Sequence, residues 1–412
     1  MILARAISAD RRDDLETAFA RMGLPARARD RLVQPLSHVH FLLTGLGQRE
    51  WDALRQLSTQ PAPGDFPRFL PGEPGWDSGT GLLSGYRPQF EALLARLEQE
   101  PPLTTLGSAL KRALGAEQVP VPLQLGDRTL VFGRRTYVMG VVNVTPDSFS
   151  DGGAFLDPDR AIEQGMRLVE SGADLLDVGG ESTRPGAPAV DSAEEIRRVL
   201  PVIAGLSSKT EVPISVDTRK AAVAQQALGA GARMVNDTSG FQFDPLMPEM
   251  VSRFKAACCL MHIQGTPQTM QMRPCYRDLL AEIIEFLSGA VDRAIEAEVE
   301  PARIVIDPGI GFGKTVGQNL TILRRLSDLR QLGRPILVGT SRKSFLGALT
   351  GKADPAQRTA STLASIAAIG GARGVDIVRV HDVAEAREAL LVANAIGDAN
   401  DAGELFGGPG TS

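Results

Sequence analysis

Apolar residues gather into eight short runs between Tyr137 and His381. In order, the runs finish at Asn143, Asp177, Asp217, Asn236, His262, Asp307, Ser341 and His381. The stretches between them are long enough for a helix and its two loops, so the pattern predicts strand and helix alternating eight times. That is the pattern of a (β/α)8 TIM barrel. Parallel strands place all their C-terminal ends on one face, so the eight polar ends should converge on one mouth, where such barrels keep their chemistry.

The barrel is expected over residues 136–398. Residues 1–118 have a different texture, with both tryptophans and a Pro- and Gly-rich segment at 61–75. They predict a smaller α+β N-terminal domain, with a strand over 38–43 and amphipathic helices over 12–22, 48–57 and 88–98. Between the two, residues 119–135 read as a connecting hairpin with arms at 123–125 and 129–132, placed at the barrel base. The last helix is expected over 383–396. The segment 399–412, rich in Gly and Asp, is expected to be a mobile tail.

Charge and cysteine content narrow the function classes. The 412 residues carry 44 basic and 49 acidic side chains, a net charge of −5, with no basic block to track a nucleic-acid backbone. Acidic and basic residues at 10–14 interrupt any signal-peptide core, and no run approaches the roughly 20 apolar residues of a membrane span. A soluble, cytoplasmic protein without nucleic-acid or membrane partners is the expectation. Of three cysteines, Cys258 and Cys259 are adjacent in an apolar run, which gives neither a disulfide framework nor metal-ligand spacing.

The strand ends carry the candidate chemistry. Asn143 opens a loop dense in oxygen donors and closed by Gly152 and Gly153, and Thr183 and Arg184 sit in a second glycine-bearing loop. An oxygen donor, a hydroxyl and a guanidinium suit a magnesium-bound phosphate. Asp217, Asn236 and Asp307 put acids and an amide in the mouth, where a carboxylate accepting two N–H groups of a flat amino-pyrimidinone edge gains charge-assisted bonds. Met261 can supply an apolar contact to a ring. Arg379 and His381 share one side of the last strand, next to a helix start that favours an anion, and read as pyrophosphate ligands. His262 reads as a structural hydrogen-bonding residue more than as a base. Gly311-Phe312-Gly313-Lys314 lacks the spacing of a nucleotide-binding phosphate loop.

Taken together, these segments resemble the dihydropteroate synthases over residues 137–396. The resemblance rests on residues 143–153 and 181–186, Val216-Asp217-Thr218, Asn236-Asp237, Met261-His262-Ile263-Gln264-Gly265, Asp307-Pro308-Gly309, Ser341-Arg342-Lys343-Ser344 and Arg379-Val380-His381-Asp382. It implies condensation of 4-aminobenzoate with 6-hydroxymethyl-7,8-dihydropterin diphosphate, with Mg2+ as cofactor and a homodimer as the assembly. By the same resemblance, Asp217, Asn236, Met261, Asp307 and Lys343 hold the pterin. Asn143, Thr183, Arg184, Arg379 and His381 hold the diphosphate, with Asn143 also on the metal. Pro185, Phe312, Lys343 and Ser344 frame the aminobenzoate, and Asp151 lies near the methylene cation, which makes Asp151, Arg184, Lys343 and Arg379 the catalytic set. Arg379→Ala or Lys343→Ala is expected to cut turnover while leaving the fold intact.

Two alternatives stand beside this reading. A pterin-dependent methyltransferase would also grip a pterin with Asp and Asn, but has no diphosphate for Arg379 and His381 to neutralise. A non-catalytic pterin-binding paralogue would have no need of Asp151, Arg184 and Lys343.

Overall fold

The computed structural model describes residues 38–43, 47–59, 67–71, 81–100, 103–114, 119–145, 157–182 and 186–399. The chain divides into two compact units, Met1–Gly115 with Asn400–Phe406, and Ala116–Ala399 with Gly407–Ser412.

In the first unit, β1 (His38–Leu43), β2 (Arg68–Pro71) and β3 (Gly81–Tyr86) make an antiparallel sheet in the order β1-β3-β2. Among the described residues its helices are α1 (Gln48–Thr59), α2 (Arg87–Leu97) and α3 (Thr104–Leu114). Proline near the start of α2 is pre-set for the first helical turn, and the Tyr86 N–H donates to Gln89 Oε1 at 2.7 Å. Phe90, Leu93 and Leu97 then fall on one face and are buried with Leu43, Leu54, Leu83 and Leu110. Phe41 meets Phe90 edge-on, with ring centroids 4.9 Å apart. The residue pattern predicts neither β2, which ends in proline, nor β3, which carries Gly81 and Gly85. Pairing with neighbours, not intrinsic preference, makes these strands. α3 is likewise additional to the expected elements. The helix expected over 12–22 and the tail from residue 400 lie outside the described residues.

The second unit opens with the hairpin β4 (Leu123–Leu125) and β5 (Arg128–Leu130), turned at Gly126, whose φ of +63 suits a residue without Cβ. Strands and helices then alternate: β6 (Tyr137–Asn143), α4 (Pro158–Glu170), β7 (Leu175–Gly179), α5 (Ser192–Ser207), β8 (Ile214–Asp217), α6 (Ala221–Gly229), β9 (Met234–Asp237) and α7 (Met247–Arg253). They continue as β10 (Ala257–Met261), α8 (Leu279–Glu296), β11 (Ile304–Asp307), α9 (Val316–Arg324), β12 (Leu337–Val338), α10 (Ser344–Thr350), α11 (Thr359–Gly371), β13 (Ile377–Val380) and α12 (Val383–Asp398). β6 to β13 pair in parallel in the order β11-β10-β9-β8-β7-β6-β13-β12, and a parallel bridge between Ile306 and Ile336 closes the ring. The expected TIM barrel is the fold observed.

Period-two alternation splits each strand between two cores. Val138, Val142, Val178, Val216, Val235, Leu260, Ile306 and Val378 pack outward with residues of the surrounding helices. Met139, Leu175, Met234, Cys259, Val305, Leu337 and Ile377 form a separate cluster with Leu123, Leu125, Leu130 and Phe132 of the hairpin segment. Because these are the early residues of their strands, the hairpin fills the N-terminal end of the barrel. Each large apolar side chain buried there contributes about 1.5–3 kcal/mol. The opposite end is left for polar residues.

Two strand ends differ from the expectation by more than one residue. Asp177 lies inside β7, followed by Val178 and Gly179. Ser341 lies beyond the short β12, with Gly339 and Thr340 between.

Candidate functional site

Above the apolar layer, the same alternation turns Asp177, Ser215, Asp217, Asn236, Asp307 and Arg379 into the barrel. Asp177 stands opposite Ser215, Asp217 opposite Asn236, and Met261 opposite Asp307 in the strand register. Arg379 joins the acids: its Nε donates to Asp177 Oδ2 at 2.6 Å and its Nη2 to Asp217 Oδ2 at 2.9 Å. Asn236 Nδ2 donates to the same Asp177 oxygen at 2.9 Å. The sequence sends Arg379 to an anion, and the structure shows it already committed to two carboxylates. Asp177, given no role by the sequence pattern, is the fully buried centre of this network. Its Oδ1 and the Ser215 Oγ, both buried, have no hydrogen-bond partner among the described residues.

Burial sets the electrostatics. It lifts the Asp217 carboxyl above its ordinary range, with Arg379 opposing and Asp177 adding to the rise. Asp307 is raised by the same cause against the pull of Lys343. Lys343 is brought down to about 8 by burial, with Asp307 holding it up. Burial also works against the charge on Arg379, yet Asp177 and Asp217 outweigh it and keep the group above its ordinary value. The mouth is therefore a set of mutually dependent charges in a medium that weakens them poorly.

The loop after β11 is fastened carbonyl by carbonyl. Lys343 Nζ donates to Ile310 O, Gln271 Nε2 to Gly311 O at 2.8 Å, Lys314 Nζ to Phe312 O at 2.9 Å, and the Tyr276 hydroxyl to Gly313 O at 2.8 Å. Lys343 Nζ also lies 4.8 Å from the Phe312 ring centroid. His262 accepts from Lys314 at 2.8 Å through Nδ1; burial, then Lys314, lowers its pKa to about 2 and keeps the ring neutral. Its position in the core is that of a hydrogen-bonding residue.

Around β12 and β13, Ser341 Oγ accepts the His381 backbone N–H at 3.2 Å and contacts Nδ1 at 2.9 Å. Ser341 thereby contacts one ring nitrogen of His381, and which of the two groups donates follows from the ring tautomer. Arg342 adopts a left-handed backbone (φ 58). Its carbonyl accepts from Arg358 at 2.8 Å and its guanidinium grips Asp382 at 2.6 Å, supports that hold a strained turn in place. Ser344 is exposed at the start of α10.

After β7, Glu181 accepts from Lys220 at 2.7 Å, and Lys220 also pairs with the fully buried Glu195. Arg198 donates to Gly180 O at 2.9 Å. This cluster, not foreseen from the sequence, fixes the start of the segment bearing Thr183, Arg184 and Pro185. Those three residues and Asp151 lie outside the described residues. Asn143 ends β6 opposite Gly179. Among the described residues, no three His, Cys, Asp or Glu side chains are grouped to hold a metal, and no helix is long and apolar enough to cross a membrane.

Residues 139–381 match the family described as pterin binding enzyme. The dihydropteroate synthase of Synechocystis sp. is 49% identical over 282 residues, covering 68% of this chain and 97% of that protein. A structure of the Xanthomonas albilineans dihydropteroate synthase with 4-aminobenzoic acid is 44% identical, with a TM-score of 0.63 over 68% of this chain and 98% of that one. The Burkholderia cenocepacia enzyme complexed with 7,8-dihydropteroate is 43% identical, with a TM-score of 0.61 over 68% of this chain and 97% of its own.

Proposed function

The chain belongs to the pterin binding enzyme family, and from that premise we propose how its barrel works. It is a transferase that condenses 4-aminobenzoate with 6-hydroxymethyl-7,8-dihydropterin diphosphate, giving 7,8-dihydropteroate and pyrophosphate. One observation carries the residue-level reading: acids able to clasp a pterin edge and a cation able to face an anion are joined in a single mouth, with Arg379 within 2.9 Å of Asp217.

Asp217, Asn236 and Asp307 take the donors and acceptors of the pterin ring, and Met261 lies along it. On binding, Lys343 exchanges part of its bonding to the Ile310 carbonyl for the ring. Arg379 has two nitrogens fixed by carboxylates, which orients the rest of the guanidinium towards the diphosphate, and His381 binds the same group. Thr183 and Arg184 complete the anion site by resemblance, as Asp151 does at the methylene carbon. Phe312, Lys343, Pro185 and Ser344 frame the amine. No covalent enzyme intermediate is needed: the C–O bond breaks as charge gathers on pyrophosphate, and donors aimed at that charge lower the barrier.

Mg2+ fits as an ion that arrives with the substrate. The described residues offer no three-ligand acidic or histidine cluster, and Asn143 presents a neutral oxygen at the first strand end, a donor set that suits a cation carried largely by phosphates. Asn143 would hold it, and when bound it neutralises charge on the leaving group. The homodimer is part of this reading by resemblance alone, and light scattering of the full chain tests it.

Pyrophosphate release is the deciding assay. Adding 4-aminobenzoate to the chain with the pterin diphosphate and Mg2+ should give pyrophosphate and 7,8-dihydropteroate in equal amounts. Binding of the pterin diphosphate without release would instead indicate a non-catalytic pterin-binding protein, and methyl transfer from a methylated pterin would indicate the methyltransferase chemistry.

A further inference from the structure

Lys314 has no part in the mechanism above, yet it is 2% exposed and bonded at both ends of its reach. Its ammonium donates to the Phe312 carbonyl at 2.9 Å and to His262 Nδ1 at 2.8 Å. The acceptor cannot drift, because the His262 ring packs edge-on against Phe286 at 4.8 Å and beside Tyr276 at 6.0 Å. An ammonium placed in the interior is unfavourable unless its donors are met, and here two of them are met, by a carbonyl of its own loop and by His262 after β10.

Phe312 is the residue whose place this bond decides. The carbonyls on either side of it are taken by Gln271 and Tyr276, which come from the segment after β10. Lys314 instead reaches back from within the loop and ties Phe312 to the core. There is little slack around it. A Cβ on Gly309 would lie 1.8 Å from the His262 carbonyl oxygen and 3.4 Å from Lys314 Nζ, and one on Gly313 would lie 2.7 Å from the Gln264 carbonyl oxygen. Burial brings the Lys314 pKa down to about 7, with Asp307 opposing the fall and Lys343 adding to it.

We propose that Lys314 is a positioning residue for the arylamine: through the Phe312 carbonyl it sets the place of the Phe312 ring, and so governs how well aminobenzoate is held. The inference rests on the reading of Phe312 as part of the aminobenzoate pocket. Asp217 and Asn236, which hold the pterin in that reading, stand on other strands and do not touch Lys314, while Asp307 and Lys343, which also serve the pterin, interact with it through charge.

Steady-state pyrophosphate release by the full chain, with each substrate varied, tests this in Lys314→Met, Phe312→Ala and the double variant. Losing a charge-assisted bond should raise the aminobenzoate KM of Lys314→Met about tenfold or more, with the pterin diphosphate KM and kcat near native. Phe312→Ala should raise the aminobenzoate KM as well, and adding Lys314→Met to it should give no further increase, since both act through one contact. Equal increases in both KM values, or effects that multiply in the double variant, would overturn the proposal while leaving the pocket in place. An unchanged aminobenzoate KM in Phe312→Ala would remove the pocket reading, and the proposal with it. Lys314→Gln keeps an N–H donor without charge: an aminobenzoate KM between the native and Met values supports the hydrogen-bonding role, and one above the Met value overturns it. Should Lys314→Met fail to fold, Lys314→Gln takes its place in the cycle.

Discussion

Arg379→Ala should destabilise the barrel by an amount that depends strongly on pH. The substitution strips the shared cation from Asp177 and Asp217, whose side chains are 0% and 11% exposed. Breaking a buried pair by removing one partner costs about 3–5 kcal/mol, but the molecule can limit that loss by protonating a carboxylate. Protonation costs about 1.4 kcal/mol per pH unit above an ordinary value near 4, so the ceiling is about 4 kcal/mol at pH 7 and about 1.5 kcal/mol at pH 5. The sign follows from proton uptake: the folded variant holds a proton that the unfolded chain has released, so its stability falls as pH rises from about 4 to the raised folded pKa. Urea unfolding followed by circular dichroism, against the native chain at each pH, should show about 3–4 kcal/mol lost at pH 7 and about half or less of that at pH 5. Adding Asp217→Asn should restore about 2 kcal/mol at pH 7 by removing one of the opposed charges. Equal losses at both pH values, or no rescue, would show that the guanidinium does not hold these carboxylates. The expectation that Arg379→Ala leaves the fold untouched gives way to this cost, because the residue neutralises buried acids as well as facing the mouth.

Other perturbations test separate parts of the site. Lys343→Met should lower kcat/KM about 100-fold in pyrophosphate release, the scale of losing one aimed donor; a native value would take Lys343 out of the site. Gly309→Ala should cost at least about 2 kcal/mol, since φ is +69 and the added carbon would meet the His262 carbonyl; an unchanged melting temperature would contradict that geometry. Asn143→Ala should raise the Mg2+ concentration for half-maximal turnover about tenfold, and an unchanged titration would remove Asn143 as a donor. Deleting residues 1–115 should leave kcat and both KM values unchanged, because every candidate site residue belongs to the second unit; altered constants would give the N-terminal unit a part in catalysis.

The barrel was readable because strands with inner and outer cores are apolar along their length and stop at a polar residue. Tyr137–Asn143 and Ile304–Asp307 show this most plainly. Sequence position also located Asp217, Asn236 and Asp307 at the same end of β8, β9 and β11, for parallel pairing makes chain order into spatial order. What local sequence does not carry is who bonds to whom across the barrel. Asp177 looks like an interruption between Leu176 and Val178, and its partner Arg379 is 202 residues away. The same applies to Lys220 with Glu181 and Glu195. One signal was available for Asp177: alternation from Leu175 puts it on the inner side, where a lone acid demands a cation. In the N-terminal unit, β2 and β3 escaped notice because proline and glycine argue against strands wherever the pairing partner is unknown.

The hairpin under the barrel turns it into a cup with a single rim. Leu123, Leu125, Leu130 and Phe132 seal the floor, so nothing drains from below. In the proposed arrangement, what enters leaves by the same doorway, and a flat ring held by Asp217 and Asp307 would depart after the pieces above it had cleared. On that reading turnover would be tied to traffic, since spent anion and finished adduct would share the passage that the next pair of reactants needs.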